Sequence, residues 1–393
     1  MNILQLIGRD KELFAGDINR NEPILSDAIR GARILVYGGA GSIGKEVVSQ
    51  LFVRNPAVLH VVDLSENNLV ELVRSLRSSE SVGPEDVQFL PLDMNGLEAE
   101  AFVLSQRPYD YILNLAAMKH VRSEKDAYSL MRMIKVNVLD TRSTLRRATG
   151  ARKYFAVSTD KAKNPASLMG ATKRIMEDVL FEGSHKTAVS TARFANVAFS
   201  DGSLLHGFVQ RVAKRQPIAA PVDIVRYFVS GEEAGRLCLT SLVLANDREI
   251  LFPKIGTHLP LVSFADIAGR FLRQQGYEPV PVASEAEARG RLVELVASGK
   301  WPCYFFSSDT SGEKPIEEFY SDDDIVEWTR FDDIGVIHVP KTRDIERVDY
   351  FLSTIEDMRR AGNWTKAQLI AAVSEACPEL CHIEMGRSLD QKM

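Results

Sequence analysis

Cysteine is scarce in this chain. Four cysteines in 393 residues supply no disulfide framework, so the expected setting is a reducing cytoplasm. Long hydrophobic runs are missing too: none approaches the ~18–20 residues of a membrane-spanning helix. The opening MNILQLIGRDKELF alternates apolar and charged residues and contains no signal-peptide hydrophobic region, so no membrane insertion is expected. Nor is there an excess of basic charge. Lys and Arg number 48 against 53 Asp and Glu, a net charge of −5, which argues against a nucleic-acid binder relying on a broad basic surface. The segment CPELCH brings Cys377, Cys381 and His382 close in sequence, but no second ligand pair lies nearby and zinc usually needs four ligands. It reads as the end of a C-terminal helix with two half-buried thiols, and no metal is expected.

What is present is an ordinary globular composition, 45% apolar and 26% charged, organised by a clear rhythm. The runs RILVYG (33–38), VLHVVDL (58–64), VQFLPL (87–92), YILNLA (111–116), KYFAVS (153–158) and VSTARF (189–194) read as strands. Most are continuously apolar, as strands covered on both faces are. Amphipathic stretches separate them. In SENNLVELVRSLRSS, Ser65 is a candidate N-cap, and Leu69, Leu72, Val73 and Leu76 share one face. Strand–helix alternation of this length predicts an α/β fold with a parallel, doubly wound sheet. Residues 1–31 read as a helical arm that packs on the core or on a partner subunit. Residues 32–196 form the expected nucleotide-binding domain. After 196 the rhythm breaks, and residues 197–393 read mainly as a smaller, mixed substrate-binding part with a helical tail. EILFPKI is assigned to that part, with helices at about 263–275, 284–299 and 351–376.

The turn VYGGAGSIGKEVV joins the first strand to the first helix, with Gly38, Gly41 and Gly44 on a GxxGxxG spacing and Ser42 and Ile43 inside it. Glycines here allow a tight turn, let backbone approach a pyrophosphate, and let the helix pack close to the sheet. This is a Rossmann-type signature. Asp63 ends the second strand, where a carboxylate bonds ribose hydroxyls and repels a 2′-phosphate, and no Arg follows it in DLSENN; NAD is therefore expected over NADP. Asp93 reaches the adenine edge or caps the helix that follows. Small Ala116 and Ala117 close the fourth strand and leave room for the nicotinamide side of the cofactor.

Ser158, Thr159, Asp160 and Lys161 follow directly from the fifth strand, and ligands of open α/β sheets bind at the carboxyl ends of strands. An adjacent Asp and Lys there set each other's protonation and can act as an acid–base pair. Met169 and Lys173 lie four residues apart, on one helix face. Their spacing is that of a catalytic pair in nicotinamide-dependent enzymes whose first member is tyrosine. A thioether cannot carry a proton.

Taken together, GGAGSIG, SENN, KHV, STDKAKNPASLMGATKR, RFANV, RYF and SGEK resemble the extended short-chain dehydrogenase/reductases, and within them the capsule-type 4,6-dehydratases of NDP-N-acetylglucosamine. The resemblance runs from about residue 31 to residue 320. One branch of that family similarly carries Met for Tyr and resembles enzymes that retain configuration at carbon 5. Many relatives there have an N-terminal membrane region; this chain resembles the forms without one, used for legionaminic-type or other deoxy-amino sugars. The resemblance implies bound NAD and a UDP- or GDP-sugar substrate, the FPKIG segment (252–256) resembling relatives that use GDP. It implies oxidation at carbon 4, elimination of water across carbons 5 and 6, and return of the hydride to carbon 6. By position, Lys161 is the base at carbon 5, Asp160 the acid for the departing hydroxyl, and Thr159 a partner near carbon 4; the roles of Asp160 and Lys161 are exchangeable at this stage. Lys173 holds the nicotinamide ribose. Asn196 faces the sugar, Arg226 and Tyr227 grip the diphosphate, and Lys119 and His120 line the sugar end, His120 reading equally well as a structural histidine. Lys314 sits in a lid-like SGEK element. A homo-oligomer is expected. Two other readings are a nucleotide-sugar 4-epimerase and a non-catalytic NAD sensor.

Overall fold

The computed structural model describes residues 1–79, 83–183, 186–256, 258–308, 314, 316–340 and 345–382. All six expected strands form: β1 (Arg33–Tyr37), β2 (Val58–Asp63), β3 (Asp86–Pro91), β4 (Tyr111–Asn114), β5 (Lys153–Val157) and β6 (Ala188–Ala192). They pair in parallel in the order β3-β2-β1-β4-β5-β6. Chain direction across the sheet reverses between β1 and β4, which opens a crevice at the carboxyl ends of those strands. Ile34, Leu35, Val36, Leu59, Val61, Leu113 and Phe155 are fully buried, because side chains on both faces of these strands meet covering layers.

The residues after 196 do not leave this sheet. Strand Glu249–Pro253 pairs in parallel with β6, Ile334–His338 runs antiparallel to it, and Ile325–Glu327 closes the edge, making nine strands. EILFPKI thus belongs to the main sheet and not to the smaller part. Ile250, Leu251 and Phe252 are almost wholly buried, the pattern of a strand covered on both faces. The expected boundary at 196 marks a change of sequence rhythm, not the end of a layer.

A mixed part does exist beside the sheet. It holds two three-stranded sheets, one of Asn196–Val197, Val225–Val229 and Leu261–Ser263, the other of Ile218–Pro221, Glu278–Val282 and Lys300–Phe306. The helix expected over 263–275 is Phe264–Gln274. That expected over 284–299 is two short helices, Glu285–Gly290 and Leu292–Ala297. The last one also divides, into Ile345–Ala361 and Lys366–Ala376, because Thr365 and Gln368 form a capping box that starts a new helix. Phe351, Leu352, Leu369 and Val373 of this hairpin share an apolar cluster with Leu168, Ala171, Ile175 and Val179. The hairpin therefore backs the helix Leu168–Leu180.

The N-terminal arm holds helices Ile3–Leu6 and Ala15–Ile29 and packs on the core through Phe14, Leu25 and Ile29. Its anchor is a buried ion pair. Arg9 Nη1 donates to Glu233 Oε1 at 2.8 Å, and the same oxygen accepts the Leu13 N–H at 2.7 Å. Glu233 is fully buried and also closes a capping box with Ser230. Removing one member of such a pair strands the other charge, at a cost of about 3–5 kcal/mol. Arg9→Ala is expected to lower the urea unfolding midpoint accordingly, and an unchanged midpoint would show that the arm is not anchored by this pair.

Candidate active site at the carboxyl ends of the strands

The glycine-rich turn is built by close approach. Gly38 has φ +70, and a Cβ there would lie 2.5 Å from the Ala116 nitrogen; one on Gly44 would lie 2.2 Å from the Gly38 oxygen. The turn is thereby pressed against the end of β4, while a Cβ on Gly41 would meet only the Gly38 oxygen, at 3.6 Å. Asp63 closes the turn from β2, its two oxygens accepting the Ala40 and Ser65 N–H groups, each at 2.9 Å. Ser42 Oγ donates to Asp201 Oδ2 at 2.9 Å and accepts the Asp201 N–H at 2.8 Å, which brings the loop after Asn196 to the same mouth. The open side of this turn is a cradle of backbone and small residues. It fits a dinucleotide pyrophosphate.

Asp93 does not cap the next helix, whose N-cap is Gly96. Its carboxylate instead accepts the Asn95 N–H at 3.1 Å and lies 3.9 Å from Lys135 Nζ.

Beyond β5, Thr159 is extended and its hydroxyl donates to Asp160 Oδ1 at 2.9 Å. Lys161 Nζ donates to the same oxygen at 2.9 Å. This turn lies against the N-terminus of helix Leu168–Leu180, where a Cβ on Gly170 would come within 2.4 Å of the Lys161 carbonyl oxygen. The glycine in MGATK is therefore what lets turn and helix touch. Asp160 is 1% exposed.

Two further charges complete the group, both from distant sequence. Glu317 Oε1 lies 3.7 Å from Lys161 Nζ and 3.9 Å from Arg226 Nε. Burial pushes the Lys161 ammonium toward losing its proton, but Asp160 and Glu317 more than offset this and raise its pKa. Burial raises the Glu317 carboxyl above its ordinary value against the opposing pull of Lys161.

Met169 and Lys173 are both buried on the same helix. Lys173 Nζ donates to the Val157 carbonyl at 3.0 Å. Burial pushes its pKa down to about 8, the nearby Glu177 opposing. No phenol stands at position 169; the Met169 N–H donates to Glu124 Oε1 at 2.8 Å.

The sugar-end candidates divide. Lys119 Nζ donates to Ser200 Oγ at 3.2 Å, and His120 lies over Gly202, whose added Cβ would sit 2.7 Å from Nε2. Both thus face the loop that begins at Asn196, whose Nδ2 donates to the Tyr227 carbonyl at 3.4 Å. Arg226 and Tyr227 are neighbours on one strand and point to opposite faces. Arg226 turns to Glu317, whereas Tyr227 packs on Phe319 in the main core with ring centroids 6.1 Å apart. A joint grip by this pair on one diphosphate is not the arrangement found. Lys314 Nζ donates to the Lys163 carbonyl at 2.9 Å, which ties this lysine to the chain just beyond the Asp160–Lys161 turn; the rest of SGEK lies outside the described residues.

Sequence reading missed Glu317, Asn137, Glu177 and Arg193. Asn137, fully buried, accepts the Met118 N–H at 2.9 Å and donates to the Met118 carbonyl and to Thr172 Oγ1, each at 3.0 Å. A polar side chain amid the apolar residues of KVNVL was its signal. Glu177 receives Arg193 through two bonds of 3.0 and 2.7 Å and the Ser158 hydroxyl at 2.7 Å. Burial would raise its pKa, yet Arg193 holds it down at about 2. Among the described residues, Glu249, Glu327 and His338 form a group of metal-ligand type, but Arg330 already neutralises it, with bonds of 2.7 and 2.8 Å to Glu249. Cys377 Sγ is buried beside Glu379, 3.6 Å away.

A doubly wound sheet with this turn and an Asp–Lys pair after β5 has the extended short-chain dehydrogenase/reductase fold. More particularly, the chain belongs to the polysaccharide biosynthesis protein family, whose model matches residues 34–339. It is 30% identical over 326 residues to the uncharacterized membrane protein MJ1061 of Methanocaldococcus jannaschii, covering 80% of this chain and 88% of that one. The capsular polysaccharide biosynthesis protein CapD of Staphylococcus aureus is 29% identical over 72% of this chain, which spans 47% of that protein's length. An inverting UDP-N-acetylglucosamine 4,6-dehydratase of Campylobacter jejuni is 29% identical over 57% of this chain and 67% of its own. Among solved structures, DesIV, a dTDP-glucose 4,6-dehydratase of Streptomyces venezuelae with NAD bound, superposes with a TM-score of 0.57 at 18% identity, covering 86% of this chain and 99% of that one. No helix among the described residues is long and apolar enough to cross a membrane.

Gly170→Ala is expected to displace the turn and cost about 1–3 kcal/mol, read as a lowered thermal midpoint; an unaltered midpoint would mean the contact relaxes freely. Lys173 gives a pH signature. Its folded pKa of about 8 lies below the ordinary lysine value of 10.5, so between these values the unfolded chain binds the extra proton and stability rises with pH. Wild-type stability relative to Lys173→Met should climb through that window and be flat below it, in urea titrations at a series of pH values.

Proposed function

We propose that this chain is an NAD-dependent nucleotide-sugar 4,6-dehydratase acting on UDP- or GDP-N-acetylglucosamine in bacterial surface-sugar synthesis. The observation that carries this reading is the pair of buried Asp160 and half-buried Lys161 at the carboxyl end of β5, joined by a 2.9 Å hydrogen bond. An epimerase needs no acid at carbon 6, so a paired acid and amine favour elimination. Names borne by relatives support the same class.

NAD, when bound, supplies a hydride acceptor and donor; Gly38, Gly41, Ser42, Ile43, Gly44, Asp63 and Ala116 would hold it, with Lys173 at the nicotinamide ribose. The free pair is an ammonium beside a carboxylate. Moving one proton from Lys161 to Asp160 converts it to a neutral amine and a carboxylic acid, the forms required of a base at carbon 5 and an acid at carbon 6. Entry of a sugar favours that transfer by excluding water, since burial disfavours charge. Thr159, which donates to Asp160 Oδ1, would bond the sugar near carbon 4. Met169 carries no proton and Asp160 already holds one, so the carbon-4 hydroxyl proton leaves through Thr159 or a water near Lys173. Arg226 supplies positive charge beside the same group.

The test is incubation with UDP- and GDP-N-acetylglucosamine, separately, in deuterated water, followed by mass and proton spectra. A product lighter by one water with deuterium at carbon 5 is expected from one of them. An epimer with no loss of water would replace this reading by the 4-epimerase. No turnover of either, with NAD still bound, would overturn both substrates.

A further inference from the structure

We propose that Glu317, contributed from the far end of the chain, is the positioning residue that fixes Lys161 in place and sets the pH at which Lys161 gives up its proton. The inference rests on the dehydratase reading for its catalytic meaning, and on geometry for its existence.

Glu317 is 5% exposed, and a carboxylate so buried requires a compensating charge. Its Oε1 lies between two cations, 3.7 Å from Lys161 Nζ and 3.9 Å from Arg226 Nε. Its Oε2 has no hydrogen-bond partner among the described residues, and neither has Asp160 Oδ2. Two buried carboxylates thus flank one ammonium, each keeping one oxygen spare. The charged groups around Lys161 are Asp160 on its own turn, Glu317 from the segment after residue 316, and Arg226 from the strand Val225–Val229. Those around Glu317 are Lys161, Asp160, Arg226 and Lys314. Glu317 is the member supplied by a separate segment of chain, which has a fastening of its own. Two residues on, the Phe319 carbonyl accepts from Arg193 at 2.6 Å, and Phe319 itself is fully buried. Its neighbour Glu318 is exposed and accepts instead from Asn164, at 3.0 Å. One glutamate of the pair points inward and the other does not.

Removing the negative charge of Glu317 makes the Lys161 ammonium easier to deprotonate. The sign is the same whatever Lys161 does. If the neutral amine is the base, the rising limb of the pH–rate profile moves to lower pH; if the ammonium is the working form, the falling limb does.

The direct test needs no turnover. Lysine labelled with ¹³C at Cε reports the titration of Lys161, identified by its loss in Lys161→Ala, in wild type, Glu317→Gln and the control Glu318→Gln. The expected result is a Lys161 midpoint lower by about 1 pH unit or more in Glu317→Gln, the scale a carboxylate at this range imposes, and unmoved in Glu318→Gln. Should Glu317→Gln fail to fold, Glu317→Asp keeps the charge but withdraws it by one methylene, and a smaller downward shift is expected. An unchanged midpoint in a folded Glu317 variant overturns the proposal. If the wild type also dehydrates its sugar, the limb governed by Lys161 should move by the same amount. A shifted midpoint in a protein that dehydrates neither sugar would sustain the tuning role and sink the dehydratase reading alone.

Discussion

Glu177 and Arg193 meet in the interior, 0% and 3% exposed as side chains, through two hydrogen bonds. The pair holds three remote pieces of chain in one frame. Glu177 is four residues beyond Lys173 on the helix that also carries Met169; Arg193 directly follows β6; and the Arg193 guanidinium continues to the carbonyl of Phe319, two residues beyond Glu317. Ser158, at the end of β5, gives its hydroxyl to the same carboxylate. Burying two such charges is favourable only when every lone pair and proton finds a partner. Here each carboxylate oxygen accepts at least one bond. The positions of Lys173, of the Thr159–Lys161 turn and of Glu317 are all set by what this pair grips.

The site also stores unequal proton affinities within a small space. Lys161 is held charged by two carboxylates, whereas Lys173, with one more distant carboxylate and a carbonyl for company, is pushed down to about 8. Two lysines on neighbouring elements are thereby given different proton affinities: one is an ion-pair member, the other gives up its proton more readily than an ordinary lysine.

Much of this was legible in the sequence, for local reasons. A glycine turn between strand and helix, a carboxylate ending β2, and an Asp–Lys step after β5 are contiguous patterns whose geometry follows from the fold, and the structure gathers them at one end of the sheet. Glu317 was not legible: it sits in PIEEFY as one of two adjacent glutamates, and only the tertiary fold decides which points inward. Nor was the divergence of Tyr227 from Arg226 read, although alternation along a strand sends the two to opposite faces. The strand Glu249–Pro253 was seen as a strand but given to the wrong layer, because sequence order does not reveal which edge of a sheet remains open for pairing. Asn137 left a trace as a polar residue in an apolar helix, but nothing local told what it would clamp.

The arm at the beginning of the chain is fastened to residues made much later. Arg9 pairs with Glu233, 224 positions on, and the Asp17 carboxylate accepts the N–H groups of Asp332 and Asp333, at 2.7 and 2.9 Å. During synthesis, which adds roughly 5–20 residues per second, Arg9 waits on the order of ten seconds or more for its partner, and Asp17 longer. A segment made before β1 is therefore locked only after much later residues are made. Early folding falls to the local β1–β6 pairings, and the arm acts as a closing clasp that registers the arrival of Glu233 and of Asp332 and Asp333.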